Sequence, residues 1–351
     1  MSERPTYSIV APVYNEVGNL RPFTEQVRAV MDGLGEPWEL LLVDDGSSDG
    51  SRELMLELAA ADKRLRIISF ARNFGHQIAV TAGVDYASGQ AVVLIDADLQ
   101  DPPAVIPRLI EKWREGYEVV YAVRAVRKGE SVLKRLSAKL FYRMIHRITD
   151  INIPVDTGDF RLMDARIAAV LRQMREQRRF VRGMTSWVGF RQTGIEYVRE
   201  ERAWGETKYP LRKMIAFAMD AVTSFSFFPL QIMIYMSFFL GVASLLTGLT
   251  ITVLRLTQGE EFFGGQATTI MLLLLLSSFQ LFFLFVIGQY VARSYDEARD
   301  RPLYIVASTA GLGEARAPNQ RMPAAAGAEA AITLAKAQNC RQTEGEQLRS
   351  D

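Results

Sequence analysis

Ala91-Val92-Val93-Leu94-Ile95-Asp96-Ala97-Asp98-Leu99-Gln100-Asp101-Pro102-Pro103 is the stretch that decides the fold. Five apolar residues in a row, stopped by turn formers, read as a strand buried on both faces, as in a parallel sheet between helical layers. The strand runs straight into Asp96, with a second carboxylate two residues on at Asp98. The same device recurs upstream. Tyr7–Val13 is strand-like and leads to Tyr14-Asn15-Glu16, Leu40–Val43 to Asp44-Asp45-Gly46-Ser47, and Leu65–Phe70 to Arg72-Asn73-Phe74-Gly75. Helical patterns fill the gaps at Asn19–Met31, from an Asp49 cap to Ala61, at His76–Ala87 and at Pro103–Glu115, and a fifth strand follows at Glu118–Val123. This alternation predicts an α/β domain with a mostly parallel sheet and helices on both faces. Ligands of such sheets bind beyond the carboxyl ends of the strands, so four polar clusters gather on one active-site edge.

Around this domain the composition is uneven. The 351 residues carry 41 basic and 40 acidic side chains, a net charge of +1 that gives no reason to expect a nucleic-acid partner. Residues 1–210 read as a soluble catalytic domain, and Met1 to Thr6 is too short and polar to be a signal peptide. The single cysteine, Cys340, cannot form an internal disulfide, which suits a reducing compartment. Residues 211–226 read as an amphipathic helix in a membrane interface: Leu211, Met214, Ile215, Met219, Val222 and Phe225 share a face that Arg212 and Lys213 avoid. Packing of that face on the catalytic domain is the plainer alternative.

Ala221 to Leu254 and Phe262 to Ala292 hold no charged residue. Each exceeds the ~20 residues needed to cross a bilayer. The segment 227–292 is therefore expected to form a two-helix transmembrane hairpin, with spans at 229–254 and 266–291. Basic residues flank its outer ends (Lys208, Arg212 and Lys213 before, Arg293, Arg299 and Arg301 after). That asymmetry predicts a multi-pass protein of the inner membrane with the catalytic domain and both termini in the cytoplasm. Residues 293–308 then form a post-membrane segment, and 309–351, rich in Ala, Gly, Gln and Glu, a disordered tail.

Asp96 and Asp98 can both reach a divalent cation once the chain has left the strand, and Gln100 can complete the coordination. Oxygen ligands suit Mg²⁺ or Mn²⁺, which also bind diphosphates. A lone Asp-x-Asp often only solvates a loop; the buried strand before this one and the Pro pair after it give it weight. Asp44 can accept from a nucleobase N–H while Gly46 allows close approach, Pro12 and Tyr14 can wall the base, and Glu16 can bond a ribose hydroxyl. A turn with a helix cap explains Asp44–Ser47 equally well. His76 and His146 stand alone and read as structural or surface residues. No phosphate loop of the ATPase or dinucleotide type is present, and no His/Cys cluster suggests zinc.

Taken together, Pro12–Glu16, Asp44–Asp49, Arg72–Gly75 and Asp96–Pro103 resemble the inverting family-two glycosyltransferases of GT-A fold. Asp156–Met163, Arg179–Gly183, Gly205–Tyr209 and the run from Gly288-Gln289-Tyr290 to Arg301-Pro302-Leu303-Tyr304 resemble a narrower branch, the polyisoprenyl-phosphate glycosyltransferases, with Gln289 where that branch has Glu. The resemblance covers residues 6–306. It implies a nucleotide-sugar site of Pro12, Tyr14, Glu16, Asp44, Asp45 and Asp96, and a metal held by Asp98 and Gln100 with Asp96 beside them. Arg124, Lys134, Arg135, Ser137, Arg202 and Lys208 become the candidates for an acceptor phosphate. A solvated surface charge is the plainer reading of any single Lys or Arg among them, but guanidinium forks suit phosphate.

The implied reaction is transfer of one sugar, glucose from UDP-glucose in the first instance, to undecaprenyl phosphate. Other donors remain open: GDP-mannose, UDP-GlcNAc, UDP-galactose or UDP-aminoarabinose. A phosphate monoester with a second pKa of about 6 is already anionic and needs little help as a nucleophile. Asp156 and Asp159 are then a base or an anchor for sugar hydroxyls, unless Asp156–Asp159 is only a turn. Bacterial relatives imply a homo-oligomer, a tetramer, and Gly241, Ala243 and Ser244 would let helices approach. A processive polysaccharide synthase is the first rival, although Gln177-Arg178-Arg179-Phe180 does not match its Gln-x-x-Arg-Trp motif. A non-catalytic nucleotide-binding membrane scaffold is the second.

Overall fold

The computed structural model describes residues 5–124, 157–198, 228–258 and 266–312. Asp156, Lys134, Arg135, Ser137, Arg202, Lys208, His146, Cys340 and the expected interfacial helix at 211–226 lie outside these residues.

The chain opens with β1 (Tyr7–Val13), α1 (Val17–Asp32), β2 (Trp38–Asp44), α2 (Ser51–Ala61), β3 (Leu65–Phe70), α3 (His76–Tyr86) and β4 (Ala91–Leu94). After a 3₁₀ turn at Pro103–Val105 come α4 (Ile106–Arg114), β5 (Val119–Arg124), β6 (Thr157–Asp164), α5 (Ala165–Gln173), α6 (Val181–Trp187) and β7 (Gln192–Tyr197). Two long helices, α7 (Phe228–Gln258) and α8 (Gln266–Ala298), precede β8 (Val306–Ala310). The eight strands form one sheet in the order β7-β5-β6-β4-β1-β2-β3-β8.

The middle of the sheet, β4-β1-β2-β3, is parallel as expected, and β2 and β4 are wholly buried, their residues apolar on both faces apart from Glu39 and Asp44 of β2. The flanks are not parallel. β6 runs antiparallel between β4 and β5, and β8 runs antiparallel on β3. The reversed β6 matters for function. A strand antiparallel to β4 begins where β4 ends, so Thr157, Gly158 and Asp159 enter the sheet at the edge where Asp96 leaves it; Leu94 pairs with Arg161. β5 and β7 are parallel to each other and finish at the same edge with Arg124 and Tyr197.

Helix α3 lies close on β1 because residue 83 is glycine: a Cβ there would stand 2.1 Å from Val10 Cγ1. The strand β8 lay hidden in Val306–Ala310, five residues with few large apolar side chains, and the expected boundary at 308/309 falls inside it. Among the described residues one segment, Leu275–Ala298 of α8, is long and apolar enough to cross a membrane, and α7 contains a shorter apolar stretch, Ile232–Thr247.

Candidate active site

Four loops at the carboxyl edge build the site by capping one another. The β1 loop turns at Asn15, whose φ is 57°. Its amides are taken by the β2 loop: Asn15 N–H donates to Ser47 Oγ at 3.1 Å, Glu16 N–H to Ser51 Oγ at 3.0 Å, and Val17 N–H to Asp49 Oδ2 at 3.1 Å. Asp49 also accepts from Ser51 N–H, so one carboxylate serves the starts of both α1 and α2. Glu16 accepts from Asn19 Nδ2 at 2.5 Å, and Tyr14 projects half-exposed beside half-buried Pro12.

Asp44 and Asp45 are buried and engaged within the protein. Asp44 accepts from Ser47 N–H at 2.8 Å and from Arg52 Nε at 2.7 Å. Asp45 accepts from Phe74 N–H at 2.7 Å and Gly75 N–H at 3.0 Å, fastening the β3 loop to the β2 loop. Burial pushes the Asp45 carboxyl up, against the pull of those two amides. Gly46 allows close approach, but of protein rather than ligand: at its φ of 73° a Cβ would meet the Arg72 carbonyl carbon at 2.6 Å.

The β4 loop carries the expected pair. Asp98 is buried, and its Oδ1 accepts from Gln100 N–H at 3.1 Å. That turn puts Leu99 at a φ of 62°, a left-handed conformation costing about 1–2 kcal/mol for a residue with a Cβ. Asp101 is buried behind it and accepts from the Tyr197 hydroxyl, which burial and the Asp101 charge push upward in pKa. Asp96 stays partly open, with 27% of its side chain exposed. Burial among packed atoms, offset by His76 and aided by the neighbouring carboxylates, raises its carboxyl to about 6.

His76, read from sequence as isolated, stands at the centre. Its Nε2 lies 3.0 Å from Asp159 Oδ2 and 3.7 Å from Asp96 Oδ1. Burial would depress the imidazole, but the Asp159 hydrogen bond and the two carboxylate charges carry it to about 9. Asp159 is held by three donors from two helices: His76, Gln77 Nε2 at 2.9 Å, and Arg182 Nε at 2.7 Å. Burial alone would raise its carboxyl; the His76 bond and the Arg182 charge hold it well below the ordinary carboxylate range. Beneath it, buried Arg161 donates to Gly158 O at 2.9 Å and to Thr185 Oγ1, and Arg182 donates to Thr157 O at 3.1 Å. The Arg124 guanidinium packs over Gly158, and its Nε is buried without a hydrogen-bond partner among the described residues.

Asp96, Asp98, Gln100, Asp159 and Arg124 thus come from separate segments to one edge. Asp44 and Asp45 brace that edge from within. His76, Gln77 and Arg182 were missed as site residues. The signal for His76 was present: it is the first helical residue after a strand-end cluster, and so sits at the edge where the other clusters gather.

Carboxylates and guanidinium groups gathered at the carboxyl edge of an α/β sheet mark a ligand site there, and sequence comparison gives the family. The family described as Glycosyl transferase family 2 matches residues 8–171. The uncharacterized glycosyltransferase YkcC of Bacillus subtilis is 50% identical over 316 residues, 90% of this chain and 98% of its own. A prophage-derived bactoprenol glucosyl transferase of Shigella flexneri is 38% identical over 299 residues, 85% of this chain and 96% of its own. A solved mannosyltransferase of Pyrobaculum calidifontis is similar over 62% of this chain and 61% of its own, at 18% identity and a TM-score of 0.41. The chain belongs to glycosyl transferase family 2; it is a glycosyltransferase of GT-A fold.

Proposed function

We propose that the protein transfers a single hexose, glucose from UDP-glucose in the first instance, to a polyisoprenyl phosphate at the membrane, with inversion at the anomeric carbon. The observation that carries this reading is the match over nearly the full length of a relative named bactoprenol glucosyl transferase. Support for a bilayer comes from α8, where Leu281, Leu284 and Phe285 are all exposed along the apolar segment. With α7 as a second crossing, the protein is a two-span hairpin of the inner membrane with its catalytic domain and termini in the cytoplasm. A homo-oligomer, a tetramer, is part of the same reading.

The donor set fits Mg²⁺ or Mn²⁺. Asp96 and Asp98 offer hard carboxylate oxygens and Gln100 an amide oxygen. Among the described residues no group of three His, Cys, Asp or Glu side chains makes a complete cage. An ion held by these few protein oxygens would complete its shell with water and diphosphate oxygens, the usual arrangement for an ion that travels with a nucleotide. When bound, the ion supplies charge neutralisation at the diphosphate.

In the transfer, an acceptor phosphate oxygen forms the bond to the anomeric carbon as the bond to the diphosphate oxygen breaks. The acceptor is anionic, so no base is needed. Asp159, an anion tied to three donors, is a poor base and a good fixed acceptor for a sugar hydroxyl; positioning is its role. Arg124 and Arg182 provide positive charge beside it, with Lys134, Arg135, Ser137, Arg202 and Lys208 as further partners for the acceptor phosphate. Pro12, Tyr14, Glu16, Asp44 and Asp45 shape or brace the nucleotide end, and Asp156 is a second candidate to orient the sugar hydroxyls.

The test uses purified full-length protein in detergent with Mn²⁺, undecaprenyl phosphate and a panel of labelled nucleotide-sugars. Cation-dependent, mild-acid-labile label in the organic phase from one donor is the expected result. Absence of labelled lipid from every donor, with a working control enzyme, overturns it.

A further inference from the structure

The loop between α5 and α6, residues 174–180, is held from two sides. On the domain side Arg172 donates to Val84 O at 2.8 Å and to Ala87 O at 2.6 Å, and Arg179 turns back to Leu171 O at 3.2 Å. On the other side stands the C-terminal end of the long apolar helix α8. Glu297 Oε1 accepts from the Gln177 backbone N–H at 2.8 Å, and Gln177 Nε2 donates to Arg301 O at 2.7 Å. The chain beyond α8 stays fastened to the domain. Tyr304 stacks on Phe70 with centroids 5.2 Å apart, and its hydroxyl donates to Asp85 Oδ2 at 2.8 Å. Arg175, in the same loop as Gln177, reaches that Asp85 oxygen at 2.8 Å.

This loop ends at the active site. Val181 N–H, the first of α6, donates to Gln77 Oε1 at 2.9 Å, and the other end of the Gln77 carboxamide holds Asp159. The next residue, Arg182, is bonded to Asp159 Oδ1. Only three residues lie between Gln177 and Val181, so a shift of the Gln177 amide has little chain in which to dissipate before it reaches Arg182.

We infer that Glu297, at the end of α8, is a positioning residue for the active site: by fixing Gln177 it sets the start of α6 and seats Arg182 on Asp159. A side-chain oxygen that accepts from a backbone amide fixes this short loop at one point, and the path from Glu297 to Asp159 runs through that bond, the chain from Gln177 to Arg182, and the hydrogen bonds of Val181 to Gln77 and of Gln77 and Arg182 to Asp159. The consequence is that the long apolar helix contributes to turnover as well as to anchoring.

The kinetic arm of the test rests on the sugar-transfer reading; the exchange arm does not. In full-length protein in detergent, Glu297→Ala is expected to speed hydrogen–deuterium exchange across residues 174–187, whereas Glu297→Gln, which keeps the acceptor, is expected to match the wild type. With a donor the wild type turns over, Glu297→Ala is expected to lower kcat about tenfold with donor KM within about twofold, since small misplacements of a positioning group cost this much or more. Glu297→Gln is expected to retain the rate. In an Arg182→Lys background, Glu297→Ala is expected to add little further loss, because both act through the same contact. Unchanged exchange in Glu297→Ala, or fully additive kinetic losses, overturns the inference. If the wild type turns over no donor, the transfer reading fails while the exchange arm still decides this one. Glu297→Ser, which shortens the side chain out of reach of the Gln177 amide while keeping a polar group, repeats the exchange test should Glu297→Ala fail to fold, with the same faster exchange expected and unchanged exchange overturning the inference.

Discussion

Two buried carboxylate clusters sit at opposite ends of the same sheet and are built differently. At the amino edge, Glu39 of β2 accepts from Ser88 N–H at 2.8 Å, from Ser88 Oγ at 2.9 Å and from Ser8 Oγ, while Arg66 pairs with it at 2.6 Å. Only 2% of its side chain is exposed. Its donors come from adjacent strands and a nearby turn, and they close over it. At the carboxyl edge, Asp96 remains 27% exposed, and Asp159 is gripped by long side chains reaching from α3 and α6. The first cluster spends its hydrogen bonds on joining strands. The second keeps an open carboxylate beside a fixed one, which is what a ligand site requires. Burial of a charge is common to both; openness and the distance from which partners are drawn separate them.

The widest way to break this comparison is to neutralise a carboxylate at the open end. Asp98→Asn is expected to lower turnover by about a hundred- to a thousandfold, in line with the loss of a group that stabilises developing charge. Its melting temperature is expected to stay at the wild-type value. Near-normal turnover at saturating Mn²⁺ would remove Asp98 from the site. At the closed end the expectation is reversed. Glu39→Ala leaves Ser8, Ser88 and Arg66 without their acceptor and is expected to cost about 2–3 kcal/mol of stability. Turnover per folded molecule is expected to be unchanged. A fall in kcat without a fall in melting temperature would show that the amino edge has a functional role too.

A finer cut falls within the open end. Arg182→Lys keeps the charge but loses the planar fork that serves Asp159 and the Thr157 carbonyl together. It is expected to lower kcat about tenfold with donor KM nearly unchanged, as for a residue that orders the reacting geometry. A rise in KM at constant kcat would instead assign Arg182 to simple donor binding.

The two ends also differ in how much of them could be read from the chain. The strand at Ala91–Ile95 and the carboxylates after it are local features, so Asp96 and Asp98 were legible, as were the four strand-end clusters. The closing of those loops on one another was not. What holds Asp44 and Asp45 was not legible either, because an Asp-Asp-Gly-Ser turn carries no mark of what lies across from it; what lies there is Arg52 and the amides of Phe74 and Gly75. The partnership of His76 was opaque for the same reason, since Asp159 is 83 residues away. That meeting depends on β6 running antiparallel beside β4, and β6 is buried along nearly its whole length like the parallel strands beside it, so its hydrophobic pattern does not reveal the reversal. β8 and the Glu297–Gln177 contact, across 120 residues, are further cases in which position is set by tertiary pairing.

The smallest expected effect comes from a carboxylate between these extremes, Asp164, at the end of β6 away from the site. It caps α5 by accepting from Arg166 N–H at 2.9 Å, and its other oxygen accepts from Trp113 Nε1 at 3.0 Å. Burial works to raise its carboxyl, yet the Arg166 amide, the Trp113 bond and the Arg166 side chain together lower it. A carboxylate whose folded pKa lies below its unfolded one of about 3.9 stabilises the fold fully above that value. The contribution is lost as pH falls through the lower, folded pKa. Asp164→Asn provides the reference, because its amide oxygen keeps the cap while its NH₂ cannot accept from Trp113 and nothing titrates. At pH 7 the variant is expected to be less stable by about 1 kcal/mol, the size of one cap-region hydrogen bond. Thermal melts carried down from pH 7 are expected to keep that gap constant to about pH 4 and to close it below, as the wild-type carboxyl takes up its proton. A gap that widens with acid would mean that Asp164 is stabilised in its protonated form, and would group it with the raised carboxyl of Asp96 rather than with the closed, structural carboxylates.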